Sequence, residues 1–247
     1  MMQLFFIQLF GHMLGDFYLQ CERMCSSKAE KGFKSGWLYL HVLLVFLVAW
    51  GVTRTASFWW AALLIALLHG VADGIKSYFV RKQKIANGAF WWDQLIHIVV
   101  IGAVVWLYWL CCGWDEWLWL TSYRIAMILG FVFCLWPANF FIGEFLKIIK
   151  VEKKGSNGDA KEVKSTLDAS RVIGSIERML VFLFVWLGQY SAIGFLIAAK
   201  SVMRFPEKGK GKEGNNAEYY LVGSLLSFGL AIMMAASILA LHKKGIL

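Results

Sequence analysis

The stretch His69-Gly-Val-Ala-Asp73-Gly-Ile-Lys76, then the basic run Arg81-Lys82-Gln83-Lys84, then Trp91-Trp92-Asp93-Gln94-Leu-Ile-His97, decides how the chain is read. Its polar residues are set inside long apolar runs. Each histidine stands four residues from an aspartate, first with the histidine leading and then with the aspartate leading. Residues four apart on a helix share a face. A chain that crosses a membrane, turns in a basic loop and crosses back therefore brings both pairs to one depth.

The composition supports that reading. Of 247 residues, 59% are apolar and 17% charged, where a soluble domain carries about a quarter charged residues. Apolar runs long enough to cross a bilayer recur along the chain. The expectation is an all-α polytopic transmembrane helix bundle of seven to eight spans. They fall near 4–21, 37–52, 57–80, 90–111, 122–146, 172–188, 190–204 and 218–241, with 172–204 as a short hairpin turning at Gly188-Gln189. The range 1–112 reads as a four-span half bearing the His/Asp residues. The range 113–247 reads as a second half with a loop at 147–171, in which 151–168 has the composition of a flexible linker. Both halves are expected within one integral membrane domain.

The net charge of +9 is placed as membrane topology demands rather than as a nucleic-acid surface. Eighteen Lys and Arg residues fall in alternate inter-span segments on one face and four on the other. That bias puts the basic loops in the cytoplasm and the N-terminus outside, in a bacterial cytoplasmic (inner) membrane. The expected partner is the lipid bilayer, with no nucleic acid. The first residues lack a basic n-region and a small-residue cleavage site, so no cleaved signal peptide is expected. Cys21, Cys25, Cys111, Cys112 and Cys134 form no metal knuckle or disulfide pattern and read as packing residues.

Counting from the basic ends at about 1.5 Å per residue, His12, Asp16, His41, Asp73, Asp93 and His97 lie about 5–14 Å into their spans and His69 deeper than Asp73, all in the cytoplasmic half. In the first span Gln8, His12, Asp16 and Gln20 recur every four residues. Ionisable groups inside a bilayer cost several kcal/mol unless paired or solvated, and so mark function. Histidine and aspartate on one helix face reach a common ion, as the two histidines of H-E-x-x-H do. Imidazole with carboxylate suits divalent Zn, Mn or Fe, and seven candidate ligands are enough for two ions.

The leading reading is a metal-dependent membrane hydrolase with a His/Asp site in the cytoplasmic leaflet, acting on a lipid or phosphate-bearing substrate. Asp16, Asp73 and Asp93 are its candidate catalytic carboxylates, and all seven residues are candidate metal ligands. Lys76, Arg178, Lys200 and Arg204 are candidates for binding an anionic substrate, since Arg offers a bidentate fork. Helix-end snorkelling is the plainer reading of Lys200 and Arg204. Lys76 equally reads as a partner for Asp73, and Glu177 with Arg178 as a buried pair. The alternatives are a transporter or proton/metal pathway using the same residues, and a non-enzymatic signalling or structural membrane component with a polar core. Pro137 is expected to kink the fifth span near Asn139 and Glu144.

At His12-x-x-Gly15-Asp16-Phe17-x-Leu19-Gln20, His41, His69-x-x-x-Asp73-x-x-Lys76 and Asp93-Gln94-x-x-His97, the chain resembles a bacterial membrane family catalogued as domain of unknown function 3307. Arg171-x-Ile173-Gly174-x-Ile176-Glu177-Arg178, Gly194-Phe195, Ala199-Lys200-Ser201 and Arg204-Phe205 resemble the tail found in many of its members. The resemblance implies a membrane location and brings no activity.

Overall fold

The computed structural model describes residues 1–81, 88–115, 120–149, 160–204 and 217–247, with 160–170, 203–204 and 217–220 described by backbone alone. It is all-α, and it falls into two compact units, Met1–Leu129 and Gly130–Leu247.

In the first unit α1 (Met2–Met13) passes directly into a π-helical segment, Leu14–Tyr18. The polar helix α2 (Glu22–Lys31) follows, then α3 (Gly36–Thr53), α4 (Trp59–Arg81) and α5 (Ala89–Cys112). The second unit holds the end of α6 (Ser122–Leu135), α7 (Pro137–Ile148), α8 (Ala160–Trp186), α9 (Tyr190–Arg204) and α10 (Ala217–Lys243). Gly188, at φ 71°, makes the turn from α8 to α9.

The expected seven to eight spans are not found among the described residues. Among the described residues four helical stretches are long and apolar enough to cross a membrane: Gly36–Thr53, Ala56–Arg81, Ala89–Cys112 and Leu221–Lys243. A fifth is reached only by counting Ser122–Leu135 with Pro137–Ile148, which meet at a 58° bend, as one span. Hydropathy alone overcounted for three physical reasons. The segment expected at 4–21 leaves the α-helix after Met13. The one expected at 172–188 is the latter part of α8, whose first turns are polar. The apolar part of α9 is short, Tyr190–Val202. Of the linker expected at 151–168, the part from Ala160 is helical and 151–159 lies outside the described residues.

Apolar helices surrounded by lipid gain little from burying leucine, so their association depends on close packing and polar contacts. The α4 helix shows this. Ala62, Ala66, Gly70 and Gly74 recur every four residues and are all buried. A Cβ at Gly70 would collide with Val42 of α3, and one at Gly74 with the Phe33 ring. Leu4, Val45, Ala49, Phe58, Ile65, Ile101, Val104 and Tyr108 form the apolar core beside this stripe. Large residues such as Leu43, Leu47, Leu67, Val99 and Leu110 point outward. Exposed leucine and valine on long apolar helices is the pattern of a lipid-facing surface, and these helices are consistent with membrane integration.

In the second unit Pro137 breaks the helix and diverts the Asn139 N–H to the Trp136 carbonyl, at 3.0 Å. The Leu135 carbonyl, its usual acceptor four residues back, is left over. Ser175 donates to it instead, and Arg178 Nε donates to the Cys134 carbonyl at 2.9 Å. The remaining Arg178 donors reach Asn139 Oδ1 at 2.8 Å, Ser175 Oγ at 3.0 Å and Ser227 Oγ at 3.1 Å. The bend expected at Pro137 is thus held by a buried arginine.

Candidate metal centre

The centre is built around Asp16. A π-helical turn is rare and occurs mostly as a single turn at functional positions. Here it closes with the Leu19 N–H on the Leu14 carbonyl, five residues back, at 2.9 Å. His12 occupies the last turn of α1 and Asp16 the middle of the π segment. Gly11 and Gly15 lie against Val52 and Val45 of α3, which lets this strand of backbone approach His41. His41 enters with α3, His69 and Asp73 lie one turn apart on α4, and Asp93 and His97 one turn apart on α5. The small-residue stripe of α4 sets the α3–α4 spacing that brings His41 Nε2 within 3.0 Å of His69 Nε2.

Four imidazoles surround the Asp16 carboxylate. Oδ1 lies 3.3 Å from His41 Nε2 and 3.2 Å from His69 Nε2. Oδ2 lies 3.8 Å from His12 Nδ1 and 3.9 Å from His97 Nδ1. The His69 and His97 rings stack with centroids 3.9 Å apart, and His12 sits 5.6 Å and 5.2 Å from them. The other two carboxylates are neutralised: Lys28 Nζ lies 2.5 Å from Asp73 Oδ2, and Lys76 Nζ 2.7 Å from Asp93 Oδ2. Among the described residues no lysine or arginine pairs with Asp16, so the three aspartates and two lysines leave one negative charge at the hub.

The hydrogen bonds of the cluster are incomplete. His12 Nδ1, Asp16 Oδ1, His41 Nδ1, Asp93 Oδ1 and both ring nitrogens of His97 are buried without a hydrogen-bond partner. Buried polar atoms are almost always satisfied, and several orphans in one place call for a missing ligand or ion. The distances fit an ion. Tetrahedral zinc with bonds near 2.0–2.1 Å keeps its ligand atoms about 3.3 Å apart. His41 Nε2, His69 Nε2 and Asp16 Oδ1 stand 3.0, 3.2 and 3.3 Å from one another. Three groupings can hold a metal ion: His12, Asp16, His69 and His97; His41, His69 and Asp73; and Asp73, Asp93 and His97.

All seven residues singled out as ligands therefore converge on one buried cluster. Two partners escaped the sequence reading. Lys28, one of the eighteen basic residues of the inter-span segments, is buried on Asp73; its signal is Met24 four residues earlier, the other buried member of α2. Gln94 was passed over beside Asp93. Its Oε1 lies 3.4 Å from His12 Nε2 and its Nε2 3.4 Å from Asp93 Oδ2. Lys76 pairs with Asp93 rather than with Asp73. In the second unit Glu177 pairs with Lys200, not Arg178. Arg178 is spent on the Pro137 bend, and the Arg204 side chain lies outside the described residues. No cysteine joins the cluster: Cys21, Cys25, Cys111 and Cys112 are exposed, and Cys134 lies against Arg178 in the second unit.

The first unit thus defines a class: a helical bundle with membrane-length apolar helices and a buried His/Asp cluster able to coordinate a metal ion. Residues 4–124, which hold every member of the cluster, match the family described as "Protein of unknown function (DUF3307)". The tail resemblance from Arg171 onward lies beyond the matched residues. No curated protein and no solved structure matches the chain.

Proposed function

We propose that the first unit is a metal-dependent hydrolase of lipid or phosphate-bearing substrates, with its centre in the cytoplasmic half of the membrane. The observation that carries this reading is the His41–His69–Asp16 triad, spaced like the face of a tetrahedral metal site beside orphaned buried donors and acceptors. His41, His69 and Asp16 would hold a divalent ion there, which would supply a Lewis acid and lower the pKa of a bound water. The chain's own residues supply the rest. Asp93 keeps Oδ1 free of hydrogen bonds while Lys76 holds Oδ2, so the carboxylate is oriented to take the proton of an attacking water. The water oxygen would bond to the carbonyl carbon or phosphorus, the bond to the leaving oxygen would break, and the proton taken by Asp93 would pass to that oxygen. Lys76, with a side chain 36% exposed against 9% for Lys28, is the cation suited to an anionic headgroup.

The transport reading has less support. A through-pathway needs polar lining on both sides of the site. One to two turns beyond the histidines, towards the far helix ends, Leu4, Val45, Ala49, Ala62, Ile65, Ile101 and Val105 pack into an apolar cluster, and the buried Gln8 beside them donates to the Ala49 carbonyl at 3.0 Å.

The test is metal analysis of detergent-purified protein, with assay of chromogenic esters, phosphoesters and dispersed phospholipids. Bound Zn or Mn, lost in His69→Ala, with hydrolysis abolished by chelator and restored by the metal, is the expected result. A metal-free protein, or equal metal in wild type and His69→Ala, overturns the centre. Bound metal with no hydrolysis overturns the reaction alone.

A further inference from the structure

We infer that Asp16 is a bridging carboxylate that joins two cations, one on each of its oxygens. The inference rests on the metal-centre reading above and adds to it the number of ions, their ligands and their order of filling.

The four imidazoles are not spread evenly around Asp16. His41 and His69 present Nε2 to Oδ1, and His12 and His97 present Nδ1 to Oδ2. The two sets use different nitrogens and different helices, so each oxygen has its own pair of ligands. A single ion on Oδ1 would leave His12 Nδ1 and His97 Nδ1 buried and unpaired, as they are now. Gln94 supports the second position. Its side-chain oxygen faces His12 Nε2 and accepts a hydrogen bond from an Nε2–H, which leaves the His12 Nδ1 lone pair turned towards Asp16. Fixing the tautomer through the far nitrogen is the usual work of a residue behind a metal-bound histidine. Ions 3.5–4 Å apart, as in known two-metal hydrolytic sites, suit a carboxylate that gives one oxygen to each.

The two positions are unequal. The Oδ1 set is already at metal-ligand spacing, with separations of 3.0 to 3.3 Å. In the Oδ2 set the histidine nitrogens stand 3.8 and 3.9 Å from the carboxylate and must close in by about half an ångström. The His41–His69 position therefore fills first and the His12–His97 position second, with weaker affinity.

The experiment titrates the full chain in detergent with Mn²⁺ and reads both bound metal and the electron paramagnetic resonance spectrum. The expected result is one ion bound first with the six-line signal of isolated Mn²⁺. A second ion then binds and quenches that signal through coupling across Asp16. His12→Ala should bind one ion and keep the six-line signal at saturation. So should Asp16→Asn, because an amide offers a single oxygen. Saturation of wild type at one ion overturns the bridge and leaves the metal centre standing. Two uncoupled ions, or two ions retained by His12→Ala, also overturn it. No bound ion overturns both.

Discussion

The two units both bury charge among apolar helices, but they finish the task differently. In the second, Arg178 is almost wholly buried, and its Nε and both Nη groups donate to Cys134 O, Asn139, Ser175 and Ser227. The arginine repairs a helix that Pro137 broke. In the first, buried carboxylates and imidazoles crowd together with six side-chain atoms still unpartnered. A buried polar residue alone says little about function. What separates structure from machinery is whether its hydrogen bonds close.

Substitutions that treat the two regions as equivalent should expose this difference. The largest contrast is expected between Arg178→Ala and Asp16→Ala. The first should lower stability by about 3 kcal/mol, because it orphans several buried acceptors, while metal content stays unchanged. The second should weaken metal binding by at least about 100-fold, since losing even an outer-shell partner costs about 10–100-fold. Thermal denaturation in detergent and equilibrium metal analysis read the two effects separately, and a metal loss in Arg178→Ala would break the comparison. Lys28→Met should destabilise the metal-free protein by about 3 kcal/mol by leaving Asp73 unpaired. Added Zn²⁺ should then raise its melting temperature more than it raises that of wild type; an equal rise would count against a cation site beside Asp73. Gly70→Ala should cost about 1–3 kcal/mol through overpacking on Val42, and should loosen metal binding because it displaces His69 from His41. The smallest effect is expected for Asn139→Ala, about 1 kcal/mol, with no change in metal content.

The helical class and the cluster were legible in the sequence for one reason. Four-residue His/Asp spacing inside apolar runs survives as a shared face whatever the helix packing, so His69, Asp73, Asp93 and His97 could be placed by counting. The membrane crossings were less legible. A hydropathy window sees apolar residues at 4–21 but not the π turn at Leu14–Tyr18. The π turn itself has no sequence signature, yet it seats Asp16. Lys28 was hidden because a lysine that neutralises a buried aspartate and one that marks a cytoplasmic loop look alike until their surroundings are known. The roles of Asp16 Oδ1 and Oδ2 are matters of ångströms, which spacing along a chain does not carry.

The two lysine–aspartate pairs also have a direction in time. In each, the cation comes earlier in the chain: Lys28 before Asp73, and Lys76 before Asp93. Synthesis runs from the N-terminus and folding follows it. Each of these carboxylates therefore emerges from the ribosome with its countercharge already made, and neither has to enter lipid before its partner exists. Asp16 emerges before both lysines and pairs with neither. The order of birth sets it apart from the other two aspartates, as the geometry does.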